Sequence, residues 1–90
     1  MIKLVDFKTY IPEKSVWVST VAYDEEIAPD SYAETMVFKG NKDGITDWSE
    51  LYYKSHGYII DREELRRRHE EIVWAIRNGA IKLHDFLDKS

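Results

Sequence analysis

The sequence predicts an α+β fold in which a three- to four-stranded antiparallel sheet packs against one C-terminal amphipathic helix, with a short terminal helix after it. Segments rich in β-branched and aromatic residues fill the first two thirds of the chain, and turn residues separate them. The last third instead spaces its apolar residues as a helix does. A chain of 90 residues is expected to form one domain, 1–90.

The first two strands are predicted on either side of a proline turn. In residues 2–10, polar residues separate Val5, Phe7 and Tyr10, as in a strand. Pro12 then marks a turn, because it fixes its own φ and biases Ile11 away from helix. Residues 15–23 (SVWVSTVAY) form the strongest predicted strand, since they are dense in β-branched and aromatic residues. An acidic loop, 24–31, is expected to follow.

The third strand, 32–39 (YAETMVFK), is expected to form an antiparallel hairpin with the second. Centring the loop between them gives the pairs Tyr23–Tyr32, Val21–Glu34, Ser19–Met36 and Trp17–Phe38. These eight residues share one face, which we expect to be the core. The other face holds small and β-branched residues. We expect the N-terminal strand or the C-terminal segment to cover it, or else this face to stay exposed and to favour a homodimer.

The remaining elements are a long loop at 40–49, a weaker strand at 50–58 and the helix. Asp61 is the predicted N-cap, with Glu64 placed as in a capping box, and Gly79 is the predicted stop. The helical face that should cover the sheet is Leu65, His69, Ile72, Val73 and Ile76. The short terminal helix is expected within 80–87.

The expected core face carries a carboxylate, Glu34, and the covering helix carries His69. Each would be costly to bury alone, so we expect the two to pair, with Ser19 or Tyr23 adding hydrogen bonds. A Ser–His–Glu set also permits a small hydrolase. However, Ser19 lies mid-strand without the sharp turn that exposes a nucleophile, so a structural polar cluster is the preferred interpretation and no residue is assigned as catalytic.

A second group of residues could contact a ligand or a partner. Trp48, Tyr52 and Tyr53 could stack on a ring, and Arg62 and Arg66 lie on one side of the helix where they could hold phosphate. Together they would suit an oligomeric sponge for a nucleotide-like signal molecule. The three histidines lack a zinc spacing, and no metal or cofactor is expected.

Composition narrows the class of partner. The net charge of −4 and the pI of about 5.3 argue against general nucleic-acid binding and suit a basic protein partner. Cysteine is absent, which suits a reducing compartment. The N-terminus has no signal-peptide stretch, and no apolar run is long enough to span a membrane. A cytoplasmic location is therefore expected.

The hairpin contains two distinctive strings, VSTV at Val18–Val21 and ETMVF at Glu34–Phe38. A Tyr-containing segment and a helix with a histidine follow them. This order resembles the pattern of VSTV, FETMVF and Gly-His in a group of small uncharacterised bacteriophage proteins. Here Tyr32-Ala33 replaces the aromatic residue before Glu34, and Arg68 precedes His69. The resemblance implies a phage accessory protein in the cytoplasm of an infected bacterium and brings no activity with it.

These observations favour a non-enzymatic binding or inhibitory protein. The resemblance to phage accessory proteins, which often counter host antiviral defence, implies that it acts by binding a host protein. The alternatives are the oligomeric sponge for a nucleotide-like signal, the small hydrolase, and a structural or regulatory phage protein with no role in defence. A homo-oligomer, in particular a dimer, is expected because a chain this short buries a limited share of its surface.

Overall fold

A computed structural model describes residues 2–24, 33–57 and 61–83. Its elements are β1 (Ile2–Ile11), β2 (Val16–Asp24), β3 (Ala33–Asn41), β4 (Gly44–Gly57) and α1 (Arg62–Arg77). The strands form one antiparallel sheet in the order β1-β2-β3-β4, and α1 packs across β1 and β2. The predicted fold class is confirmed. Residues 80–83 are not helical, and the rest of the predicted terminal helix lies outside the described residues.

The predicted register of the central hairpin is confirmed over the described residues. Trp17 pairs with Phe38, Ser19 with Met36 and Val21 with Glu34. The predicted pair Tyr23–Tyr32 is not among these pairs, because residue 32 lies outside the described part of the chain. Alternation along these strands defines an inner face, which meets α1, and an outer face, which does not.

The prediction of which face the helix covers was wrong, although Ser19, Val21 and Phe38 of the predicted core face are buried as well. The helix covers the small, β-branched face, whose members are all buried: Val16, Val18, Thr20, Ala22, Ala33, Thr35 and Val37. Short side chains let a helix approach the sheet closely, whereas the Trp, Tyr and Met side chains of the outer face would hold it away. The expected dimer contact through the small face is therefore wrong as well, since α1 occupies that face.

The core under α1 consists of two neighbouring clusters. In the larger, Ile72 and Ile76 of the helix pack with Ile11, Val16, Val18, Val37 and Leu51 of the sheet. In the smaller, Leu65 packs with Val5, Ala22 and Ala33. The larger cluster is flanked by Val73, Ile81 and Leu83, so the segment after the helix extends the cover.

The predicted loop at 40–49 was wrong, because β3 and β4 run through most of it. A tight turn at residues 42–43 joins them, in which the Asp43 N–H donates to Asn41 Oδ1 at 2.8 Å. Gly44 follows with a φ of 139°, which a glycine tolerates best. The first half of β4 is polar and exposed, so it lacks the apolar alternation that identifies a strand.

The predicted helix boundaries are confirmed. Asp61 caps the N-terminus and accepts hydrogen bonds from the Glu63 and Glu64 N–H groups. Gly79 follows the helix with a φ of 77°. The Glu64 side chain pairs with Arg67 and Arg68, so it reinforces the first turns by ion pairs along the helix.

Gly40→Ala is predicted to destabilise the fold by about 1–3 kcal/mol. A Cβ there would lie 2.5 Å from the Gly44 carbonyl oxygen and 2.6 Å from Trp17 Cδ1. The tryptophan cannot easily yield, because its Nε1–H donates to the Asn41 carbonyl at 2.8 Å. Urea unfolding measures the loss, and Lys42→Ala in the adjacent exposed turn is the control. An unchanged midpoint for Gly40→Ala would contradict the packing described.

Candidate functional site

A chain of side-chain hydrogen bonds crosses the inner face of the sheet and involves all four strands and the helix. Thr9 Oγ1 lies 2.8 Å from His69 Nε2, and His69 Nδ1 lies 2.7 Å from Thr20 Oγ1. Thr20 Oγ1 lies 2.7 Å from Thr35 Oγ1, which lies 2.7 Å from His56 Nε2. We call these five residues the polar chain.

Burial makes each link of the polar chain important for stability. Thr20 and Thr35 have no exposed surface, and His69 is 4% exposed. A buried hydroxyl or imidazole without a partner costs about 1–3 kcal/mol. The pairing of Thr20 with Thr35 in the β2–β3 register places the two hydroxyls side by side, and His69 faces them because it lies on the buried side of α1.

The polar chain has two possible senses of donation. In one, hydrogen bonds run from Thr9 to His56, and both imidazoles carry their proton on Nδ1. In the other, they run from His56 to Thr9, and both imidazoles carry it on Nε2. His56 Nδ1 is buried and has no partner in the described structure. Because an unpaired buried N–H is rarer than an unpaired acceptor, the geometry favours Nε2–H on both rings.

Burial keeps both imidazoles neutral. It lowers the pKa of His69 from 6.5 to about 4. Burial also lowers the pKa of His56, and the positive charges of Arg68 and Lys54 lower it further. If both rings were protonated, His69 and His56 would each donate into the threonine pair, and one threonine hydrogen would be left without an acceptor.

The predicted cluster of Ser19, Glu34 and His69 does not form, so that expectation is corrected. Ser19 is buried, but it neighbours Thr20 in the strand and therefore faces the other way. Glu34 likewise lies on the outer face, where its Oε1 accepts a hydrogen bond from the Tyr53 hydroxyl at 3.0 Å. The partners of His69 are threonines, which sequence reasoning had not singled out.

This arrangement removes the basis for the hydrolase interpretation. Ser19 and His69 lie on opposite faces, so the imidazole cannot accept the serine proton. Thr20 and Thr35 are in contact with His69 or His56, but neither has any surface that a substrate could reach. The polar chain is therefore best explained as a structural element.

The outer face is the more accessible candidate site. Its aromatic residues form two contacting pairs, Tyr10–Trp17 with ring centroids 5.2 Å apart and Phe38–Trp48 with centroids 5.0 Å apart. The face also carries Met36 and Tyr53. We call these residues the outer aromatic patch: Tyr10, Trp17, Met36, Phe38, Trp48 and Tyr53.

A groove lies between the two tryptophans of the patch. It is lined by Lys8, Trp17, Gly44, Ile45 and Trp48 and has a volume of about 250 Å³. One wall is fixed, because Trp17 is held by its hydrogen bond to the Asn41 carbonyl. Trp48, the other wall, is 68% exposed although it packs against Phe38.

The predicted ligand contacts do not converge within one chain. Trp48 and Tyr53 lie on the outer face, whereas Tyr52 packs against the core on the inner face. Arg62 and Arg66 instead lie beside β1, where their Cζ atoms are 5.0 and 5.4 Å from the Phe7 ring centroid. The stacking residues and the phosphate-binding residues are thus in separate places.

Comparison with protein-family models, curated proteins and solved structures gives no match. Across residues 2–24, 33–57 and 61–83, no group of three His, Asp or Glu side chains is placed to hold a metal ion. The described helix is also too short and too polar to cross a membrane. The site must therefore be interpreted from its own chemistry.

Thr20→Val is predicted to lower the free energy of unfolding by about 1–3 kcal/mol. The substitution keeps the shape of the side chain but leaves His69 Nδ1 and the Thr35 hydroxyl each without one partner. Thr46→Val, at an exposed threonine of β4, should change stability by about 0.5 kcal/mol or less. Equal effects of the two substitutions in urea unfolding would show that the polar chain contributes nothing.

Stability is predicted to fall in acid because of His69. Its pKa is about 4 when folded and 6.5 when unfolded, so only the unfolded chain gains a proton between these values. The contribution is complete above pH 6.5 and declines by about 1.4 kcal/mol per pH unit as the pH falls toward 4. His69→Gln should flatten this part of the curve. The explanation fails if wild type and variant lose stability in parallel.

Proposed function

We propose that the protein is a non-enzymatic binding module that holds a partner protein against the outer aromatic patch. The observation that carries this proposal is the exposure of Trp48, 68%, beside the groove that it shares with Trp17. Tryptophan is enriched among the side chains that dominate binding energy at protein interfaces. A partly fixed aromatic wall also loses little side-chain entropy on binding.

The shape of the patch favours a protein over a small molecule. Pockets for drug-sized ligands enclose about 300–1,000 Å³ and cover most of the ligand. The groove here is smaller, about 250 Å³, and lies open on a sheet face, which suits one anchoring side chain of a partner. Aromatic residues and methionine are also the types enriched at protein interfaces.

The charges around Trp48 favour a partner with a basic rim. Asp43, Asp47 and Glu50 are exposed near it in sequence, and the chain carries a net charge of −4. Hydrogen bonds from Ser49 lower the pKa of the Asp47 carboxyl, which favours its ionised form. Such charges accelerate association with a protein whose surface is basic and repel a protein whose surface is acidic.

The biological setting of the proposal comes from the resemblance to small bacteriophage proteins. The partner would be a protein of the infected bacterial host, bound in its cytoplasm, and its occupation would counter an antiviral defence. The nucleotide sponge has less support, because the aromatic and arginine residues that it needs lie apart in one chain.

Trp48→Ala is predicted to reduce partner retention by about tenfold or more while the fold is kept. Trp74→Ala on the helix is a matched control, since Trp74 is 64% exposed and lies away from the patch. Immobilised wild type and both variants are incubated with bacterial lysate, and retained proteins are quantified by mass spectrometry. We expect some lysate proteins to be retained by wild type and by the Trp74→Ala variant but not by the Trp48→Ala variant.

Two results would contradict the proposal. One is that every retained protein binds the Trp48→Ala variant as well as it binds wild type. The other is a rise in melting temperature with a nucleotide panel that Trp48→Ala leaves unchanged, which would indicate a small ligand bound elsewhere.

A further inference from the structure

Strand β1 forms one edge of the sheet and, within the described chain, pairs with β2 alone. An edge strand presents a row of backbone N–H and C=O groups that another strand can pair with. We propose that a second copy of this chain occupies this edge, with the two β1 strands antiparallel about a two-fold axis at Phe7. The proposal goes beyond the binding function, because the outer aromatic patch stays exposed in such a dimer.

The charges on β1 are self-complementary about Phe7. Asp6 and Lys8 flank it on the outer face, where both side chains are more than one third exposed and form an ion pair with each other. Antiparallel pairing centred on Phe7 places Asp6 opposite the partner's Lys8, and Lys8 opposite the partner's Asp6. Moving the axis by one residue would instead oppose two aspartates or two lysines. The pattern therefore favours one register and a second copy as occupant.

The position of α1 on the sheet is compatible with the proposed two-fold axis at Phe7. Since α1 packs about equally against β1 and β2, we place the helix axis midway between them, about half a strand spacing inside β1. The two-fold axis lies half a spacing outside β1. With strands about 4.8 Å apart, the two helices would lie about 10 Å apart, within the usual range for packed helices.

Charge exchange at Asp6 and Lys8 tests the proposal. Sedimentation equilibrium should give wild type twice the chain mass of 10.7 kDa. Asp6→Lys alone and Lys8→Asp alone should each raise the dimer Kd by about tenfold or more, since two attractive cross-strand pairs become repulsive. An equimolar mixture of the two variants should dimerise again, because one chain then presents two lysines and the other two aspartates.

Lys42→Asp, in the exposed turn between β3 and β4, is the control for a general effect of charge and should leave the dimer intact. Circular dichroism confirms that each variant is folded before its mass is compared. A wild type that stays monomeric throughout its soluble range would overturn the proposal. A dimer Kd that neither substitution changes, or an equimolar mixture of the two variants that stays monomeric, would also overturn it.

Discussion

The hydrogen bond between Thr20 and His69 is the contact on which the rest of the structure depends. It joins the middle of the sheet to the middle of the helix at 2.7 Å, in a place with almost no solvent. An imidazole there is acceptable only with partners on both nitrogens, and Thr9 supplies the second. The helix must therefore sit over β1 and β2 at one height and in one rotation, which also brings Leu65, Ile72 and Ile76 onto the core.

The position of the helix decides which face of the sheet is available for binding. By covering the small β-branched residues, α1 leaves the aromatic residues of the outer face to pack on one another, so that Phe38 is buried against Trp48 whereas Trp48 and Tyr53 stay exposed. The outer face is not uniformly apolar, because Lys8 pairs with Asp6 and Glu34 accepts from Tyr53. Such a mixture of aromatic area and satisfied charges is typical of protein interfaces, whereas a core would exclude the charges.

Local patterns predicted much of the fold. The hairpin register followed from centring one loop, and Asp61 and Gly79 marked the helix ends, because each signal depends on nearby residues alone. Local patterns did not predict which face of the sheet the helix covers. Alternation along the strands gives two apolar faces, and the larger side chains lie on the face that the helix does not cover. Glu34 was the available clue: a carboxylate among aromatic residues marks an accessible face more often than a buried pair.

The sequence predicts only part of the polar chain. The register placed Thr20 opposite Thr35, and helical spacing placed His69 on the covered face. Both threonines also lie in the two strings, VSTV and ETMVF, that carry the resemblance to phage proteins. The contribution of His56 does not follow from the sequence, because the register of β4 is irregular and the first half of that strand is polar and lacks apolar alternation.

Nitrogen-15 NMR of the histidine rings tests the central claim most directly, with His84→Gln used to assign the third ring. If the polar chain joins the sheet to the helix, His56 and His69 carry their protons on the same ring nitrogen, Nε2, and His69 stays neutral until the pH falls to about 4. Opposite tautomers on the two rings, together with a His69 that titrates near 6.5, would contradict the account.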